Sequence, residues 1–186
     1  MQSKTYIISD LHFGHKNILK FCPESRPFAD VDEMHYNLIQ NWNTKISKQD
    51  KVYILGDVAF CSAYDACGFL DRLNGEKFLI IGNHDMKLIK SSDFKSRFTW
   101  VRDYYELNLD GKRIVMSHYP FLHWNQEHRG SYMLHGHLHS KNPEVLDSRI
   151  WDVGIDSTED FSPYSLDKVI ELIDNRLSDL PKRSHH

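Results

Sequence analysis

Cysteine is scarce in this 186-residue chain. Cys22, Cys61 and Cys67 are an odd number without paired spacing, which excludes a disulfide framework. They read instead as three buried or half-buried free thiols in a reducing compartment. Long apolar runs are missing too, which excludes a helical membrane span and any membrane partner. A net charge of −3 leaves no global basic field to draw the protein onto nucleic acid or an anionic surface. The opening MQSKTYIISD lacks a basic-then-apolar leader, so a cytoplasmic location is expected. Repeats, low-complexity stretches and linkers are absent as well, so residues 1–180 are expected to form one domain. Residues 181–186 are expected to be a tail that is partly a purification tag, which sets His185 and His186 aside.

Histidine is what the chain has in excess, with 12 in total. His118, His123, His128, His135 and His137 crowd into one stretch, with His139 just beyond. Histidine is the commonest metal ligand and the usual general acid or base.

The first half reads as alternating strand and helix. Lys4–Ser9, Lys51–Leu55 and Phe78–Ile81 are short apolar strands. Asp30 with Glu33 is a capping box, followed by Val31, Met34, Leu38, Trp42 and Ile46 at helical spacing. Residues 62–73 form a second helix, stopped by Asn74-Gly75. The second half reads as hairpins. Val101–Leu109 alternates, Asp110-Gly111 turns, and Arg113–Met116 continues as strand. Tyr132–Leu134 and 149–155 are further strands. A last helix starts near Ser165, with Leu166, Val169, Leu172 and Ile173 as its inner face. The combination predicts an α/β layered fold.

Five polar blocks follow five of these strands: Asp10-Leu11-His12, Gly56-Asp57, Gly82-Asn83-His84-Asp85, Ser117-His118 and Gly136-His137-Leu138-His139. Functional groups gather at the carboxyl ends of strands in such sheets, so blocks remote in sequence can converge. Carboxylate, imidazole and amide oxygen suit Mn, Fe, Zn or Ni, and thiolate is absent from all five. Asp10 with His12, and His137 with His139, point the same way if their segments stay extended. Such a donor set is too large for one tetrahedral ion but suits a pair sharing a carboxylate.

In this order the blocks resemble the calcineurin-like metallophosphoesterase superfamily, in particular a small bacterial and phage branch that shares His12-Phe13-Gly14-His15-Lys16-Asn17. The resemblance covers residues 5 to about 175. GNHD alone would arise by chance in about one such chain in a thousand. The resemblance implies a four-layer sandwich, two mixed β-sheets flanked by helices. It implies two divalent metal ions, manganese the favoured identity and Fe, Zn or Ni the others. One ion would be held by Asp10, His12, Asp57 and His139, the other by Asp57, Asn83, His118 and His137. It implies attack by a metal-bridging hydroxide, His84 as general acid and Asp85 as the residue that orients His84. The other reading of Asp85 is a plain helix cap.

Two departures bear on substrate. Val58-Ala59-Phe60 stands where the family's protein phosphatases carry an arginine after the aspartate, and Asp85 stands where they carry glutamate. Lacking that bidentate grip, the chain is expected to take a phosphodiester or a nucleotide-type phosphoester. A small-molecule phosphomonoesterase is the alternative, and a non-catalytic scaffold a remote one. His15 and Asn17 are candidate substrate contacts. In the loop from Tyr119 to Gly130, His123, Trp124 and Arg129 are of the types that stack on a base or touch a phosphate, which leaves nucleotide or nucleic acid open as the phosphoester partner. The other reading of that loop is a satellite core built on Phe121 and Trp124.

Overall fold

The computed structural model describes residues 3–139 and 148–179, so the expected tail at 181–186 lies outside the described residues. Nine strands are described: β1 (Thr5–Ile8), β2 (Lys51–Ile54), β3 (Glu76–Ile80), β4 (Val101–Arg102), β5 (Tyr104–Leu109), β6 (Lys112–Ser117), β7 (Tyr132–His135), β8 (Ile150–Asp152) and β9 (Tyr164–Ser165). The helices are α1 (Ile18–Phe21), α2 (Val31–Lys45), α3 (Ala63–Leu70), α4 (Ser92–Lys95) and α5 (Leu166–Ser178).

The strands form two mixed sheets, ordered β4-β3-β2-β1-β9 and β5-β6-β7-β8. With the helices around them they make the α/β sandwich the sequence predicts. In the first sheet β1 to β4 are parallel and β9 is antiparallel to β1. Parallel strands buried on both faces explain the unbroken apolar runs. Ile7, Tyr53 and Phe78 face the second sheet, while Ile8, Ile54 and Leu79 face α2 and α3. Between the sheets these residues meet Ile114, Met116, Tyr132 and Leu134, and α5 closes that core with Leu166, Val169, Ile170 and Ile173. Each fully buried side chain of this size contributes about 1.5–3 kcal/mol.

Local chemistry sets the boundaries. Asp30 caps α2 by accepting from the amides of Asp32 and Glu33, and Glu33 reaches back to the Ala29 amide. Ser165 caps α5 by accepting from Lys168 N. At the β5–β6 hairpin Asp110 (φ 49) and Gly111 (φ 78) are both left-handed, the twist a two-residue loop needs.

Three expectations change. Val101–Leu109 is not one strand: β4 ends on the first sheet and β5 begins on the second, so the chain crosses between sheets at Asp103. Strand 149–155 stops at Asp152 and turns into a 3-10 turn at Ile155–Ser157. On α5, Ile170 is buried where Leu172 was expected, because the face packed against the core is one step round.

Candidate metal centre

All five polar blocks lie just past the ends of β1, β2, β3, β6 and β7, and at that end the sheets are stitched together. Ser9 N donates to Val153 O, Ile155 N to Ser9 O, and His137 N to Asp10 Oδ2 at 2.9 Å. Glycine makes the approach possible. A Cβ on Gly56 would stand 2.6 Å from His118 Nδ1, and one on Gly136 would collide with Ser9 Oγ and Asp10 Oδ2. The blocks are not extended as expected. Asp10 (φ 59), His12 (φ 52), Asp57 (φ 55), His137 (φ 72) and His139 (φ 54) are left-handed. The paired residues converge because the chain curls at each, a conformation that costs a non-glycine residue about 1–2 kcal/mol. Strain of this kind collects at functional sites.

Two clusters result. In the first, His12 Nε2 lies 3.3 Å from His139 Nε2, and Asp10 Oδ1 lies 3.8 Å from each. In the second, Asp57, His118 and His137 gather, with His118 Nε2 3.6 Å from Asp57 Oδ1 and 3.0 Å from Asn83 Oδ1. Asp57 faces both clusters, since its Oδ2 is 3.7 Å from His12 Nε2. All seven expected ligands are therefore brought together.

The donor chemistry fits cations. His118 Nδ1 donates to Leu55 O at 2.7 Å, and His139 Nδ1 donates to Asp156 Oδ2 at 2.7 Å. Each ring thereby turns a bare Nε2 lone pair toward carboxylates, acceptor against acceptor, which a metal ion between them resolves. Asp10 Oδ1 is buried with no hydrogen-bond partner. Burial pushes Asp10 up to about 7, against the nearby imidazole of His139. Burial also holds His12 well below its ordinary value, helped by the charge of Arg26, and lowers His118. Burial opposes protonation of His139, but the hydrogen bond to Asp156 and the charge of Asp10 outweigh it and raise the ring.

Sequence reasoning missed Asp156 and Arg26. The buried Arg26 donates from Nε to Asp156 Oδ1 at 2.8 Å and from Nη2 to Asp156 Oδ2 at 2.6 Å. The same Nη2 donates to Asp10 O at 2.6 Å, so one guanidinium fixes both the first ligand turn and the carboxylate behind His139. Ser25 Oγ adds a bond to Asp156 Oδ1 at 2.7 Å. The signal available was Asp156 itself, a sixth polar group just beyond a predicted strand.

Asp85 is corrected. Its oxygens accept from the amides of Asp57 (2.9 Å), Gly82 (2.9 Å) and Val58 (3.0 Å), so the carboxylate is committed to backbone and does not hold the His84 ring. It ties the β2 turn to the β3 turn. Burial raises it to about 7, against those amide bonds. His84 stands at the mouth, 35% exposed, with Nε2 3.8 Å from Asp57 Oδ2.

Of the expected substrate contacts, His15 reaches the site, its ring 5.4 Å from His12 and 6.3 Å from His84. Asn17 is exposed and leads into α1. His123 pairs with Glu127 at 2.9 Å, and Arg129 is exposed. Trp124 packs with Phe121 on Val115, Met133 and Ile150 and donates to Ser131 O, so the satellite-core reading of that loop holds. These two rings cover the apolar outer face of the second sheet. His135 is also structural, buried with Nδ1 donating to Gly136 O at 2.9 Å.

The model of the calcineurin-like phosphoesterase superfamily domain matches residues 4–151. An uncharacterized protein of Methanocaldococcus jannaschii is 33% identical, the match covering 92% of each chain. The Gene 66 protein of Mycobacterium phage D29 is 31% identical over 93% of this chain and 97% of its own. Among solved structures, a protein of unknown function from Aquifex aeolicus superposes with a TM-score of 0.72 at 26% identity, covering 92% of this chain and 100% of that one. Among the described residues no helix is long and apolar enough to cross a membrane.

Proposed function

The chain belongs to the calcineurin-like phosphoesterase superfamily, and we propose that its reaction is hydrolysis of a phosphodiester or nucleotide-type phosphoester at a pair of divalent ions. The observation that carries this reading is the position of Asp57, whose two oxygens face separate donor clusters while His84 stands partly exposed beside them. Asp10, His12 and His139 would hold one ion, Asn83, His118 and His137 the other, with Asp57 between. When bound, the ions supply Lewis acidity that polarises the phosphoryl oxygens and acidifies a water to provide the nucleophile. His84 Nε2 would give a proton to the leaving oxygen. Asp156 and Arg26 keep His139 and the Asp10 turn in place.

The diester preference rests on the three residues after Asp57. Val58 and Ala59 are buried and Phe60 is apolar, so this stretch offers no guanidinium to a phosphate dianion. A diester monoanion asks for less added charge. The complete donor set favours catalysis over a scaffold role.

The test compares bis-p-nitrophenyl phosphate with p-nitrophenyl phosphate across Mn, Fe(II), Zn, Ni and Mg after chelation. Diester turnover is expected to exceed monoester turnover and to return with manganese. Faster monoester turnover would replace the diesterase reading, and no turnover with any ion would favour the scaffold.

A further inference from the structure

Phe60 is 52% exposed although the two residues before it are buried. Its amide donates to Phe13 O at 2.7 Å, which anchors the backbone beneath the ring. The ring lies 4.5 Å from that of His15 and 5.2 Å, edge-on, from that of His84. Across from it stands Met86, 56% exposed, with Lys87 beside it. Together with Asn83 and His84 these side chains line a cavity of about 410 Å³, within the size range of ligand pockets. Another groove meets the centre at His139, but it is edged by Pro23 and Glu24 and has no lysine or arginine among its described lining residues.

We propose that the groove between Phe60 and Met86 is the leaving-group subsite, and that it takes a planar heteroaromatic ring such as the base of a nucleoside. The inference rests on the phosphoester reading, because a leaving group must lie on the side of the residue that protonates it, and His84 forms one end of this groove. Three features select a flat ring. Phe60, steadied by the His15 ring packed against it, presents a ring surface on which a base can stack. The Met86 thioether is a soft, adaptable partner for an aromatic edge. The Lys87 ammonium offers donors to ring nitrogens and carbonyls, which an aliphatic group lacks.

The test is binding, independent of turnover. Mg²⁺-loaded protein is titrated by NMR with adenosine, ribose and cyclohexanol, in wild type, Phe60→Ala and Phe60→Tyr. Adenosine is expected to bind the wild type more tightly than either control. Phe60→Ala should weaken it about fivefold or more, the scale of one stacking contact, and Phe60→Tyr should restore it. Phe60 is half exposed, so thermal melting of the variants should stay close to wild type. Equal adenosine binding in wild type and Phe60→Ala, absence of adenosine binding, or cyclohexanol binding as tightly as adenosine would overturn the proposal. Phe60-dependent adenosine binding without any turnover would leave the subsite standing and remove the hydrolytic reading. Turnover without adenosine binding would do the reverse.

Discussion

His139 Nδ1 donates to Asp156 Oδ2 across 2.7 Å, and that bond fixes which nitrogen His139 turns toward Asp10 and His12. Partners behind a ligating imidazole are worth about 10–100-fold in metal affinity. Asp156→Asn is therefore expected to weaken metal binding by that order in equilibrium dialysis. Unchanged affinity would mean that the bond does not orient the ring.

Arg26 is buried against Asp156 and the carbonyls of Asp10 and Leu11. Replacing it by methionine strands a buried carboxylate and two carbonyls. Breaking one side of a buried pair costs about 3–5 kcal/mol. At about 2–4 °C per kcal/mol for a chain of this size, the melting temperature should fall by roughly 6–20 °C.

Asp85→Asn discriminates between two roles. As a backbone tie it loses an acceptor facing an amide, a cost of about 1–3 kcal/mol, and metal affinity falls with it. As an orienter of His84 it would change the pH–rate profile and leave metal binding intact. The three amide bonds predict the first outcome.

His84→Ala is expected to lower diester turnover about 10²- to 10⁴-fold with metal content retained. The loss should shrink for p-nitrophenol and grow for alcohols of high pKa, which need the proton. A uniform loss across leaving groups would remove the general-acid role.

The contribution of Asp10 and Asp85 to stability and the affinity for metal should depend on pH in opposite ways. Burial raises Asp10 and Asp85 to about 7 in the metal-free fold, above an unfolded value of about 3.9. Their contribution is complete below that unfolded value and is lost as pH rises through about 7. For Asp156 burial acts upward, but the hydrogen bonds from Arg26 and His139 outweigh it and hold the carboxyl below the usual range. Its contribution is present above about pH 4 and lost below. Burial holds His12 and His118 below their ordinary value, so their contribution grows up to about pH 6.5 and opposes this trend; the Asp10 part shows as chelated wild type losing melting temperature relative to Asp10→Asn between about pH 4 and 7. Metal affinity should climb with pH and level off above about 7, because Asp10 must lose its proton to ligate.

The strands and the polar blocks at their ends were legible because both rest on local patterns. Tyr6, Ile7 and Ile8 are an unbroken apolar run because their strand is covered on both faces, and each polar block marks where such a run ends. The curl of the blocks was not legible: aspartate and histidine carry no sign in sequence that φ will be positive. Arg26 was missed because a buried arginine looks like a surface one until its partner, 130 positions away, is known. Asp85 was misread because adjacency to His84 in sequence does not bring its carboxylate to that ring. Trp124 has the chemistry of a base-stacking residue, and only the bare outer face of the second sheet claims it for packing.

Asp10, His12, Asp57 and Asn83 hang from the first sheet, and His118, His137 and His139 from the second. Each proposed ion would draw ligands from both sheets. Each would act as a rivet through both, so pulling the ions out should free the two sheets at one end together. A chain emerging from the ribosome would likewise lack one ligand of each metal pocket until the turn after β7 had been made and docked.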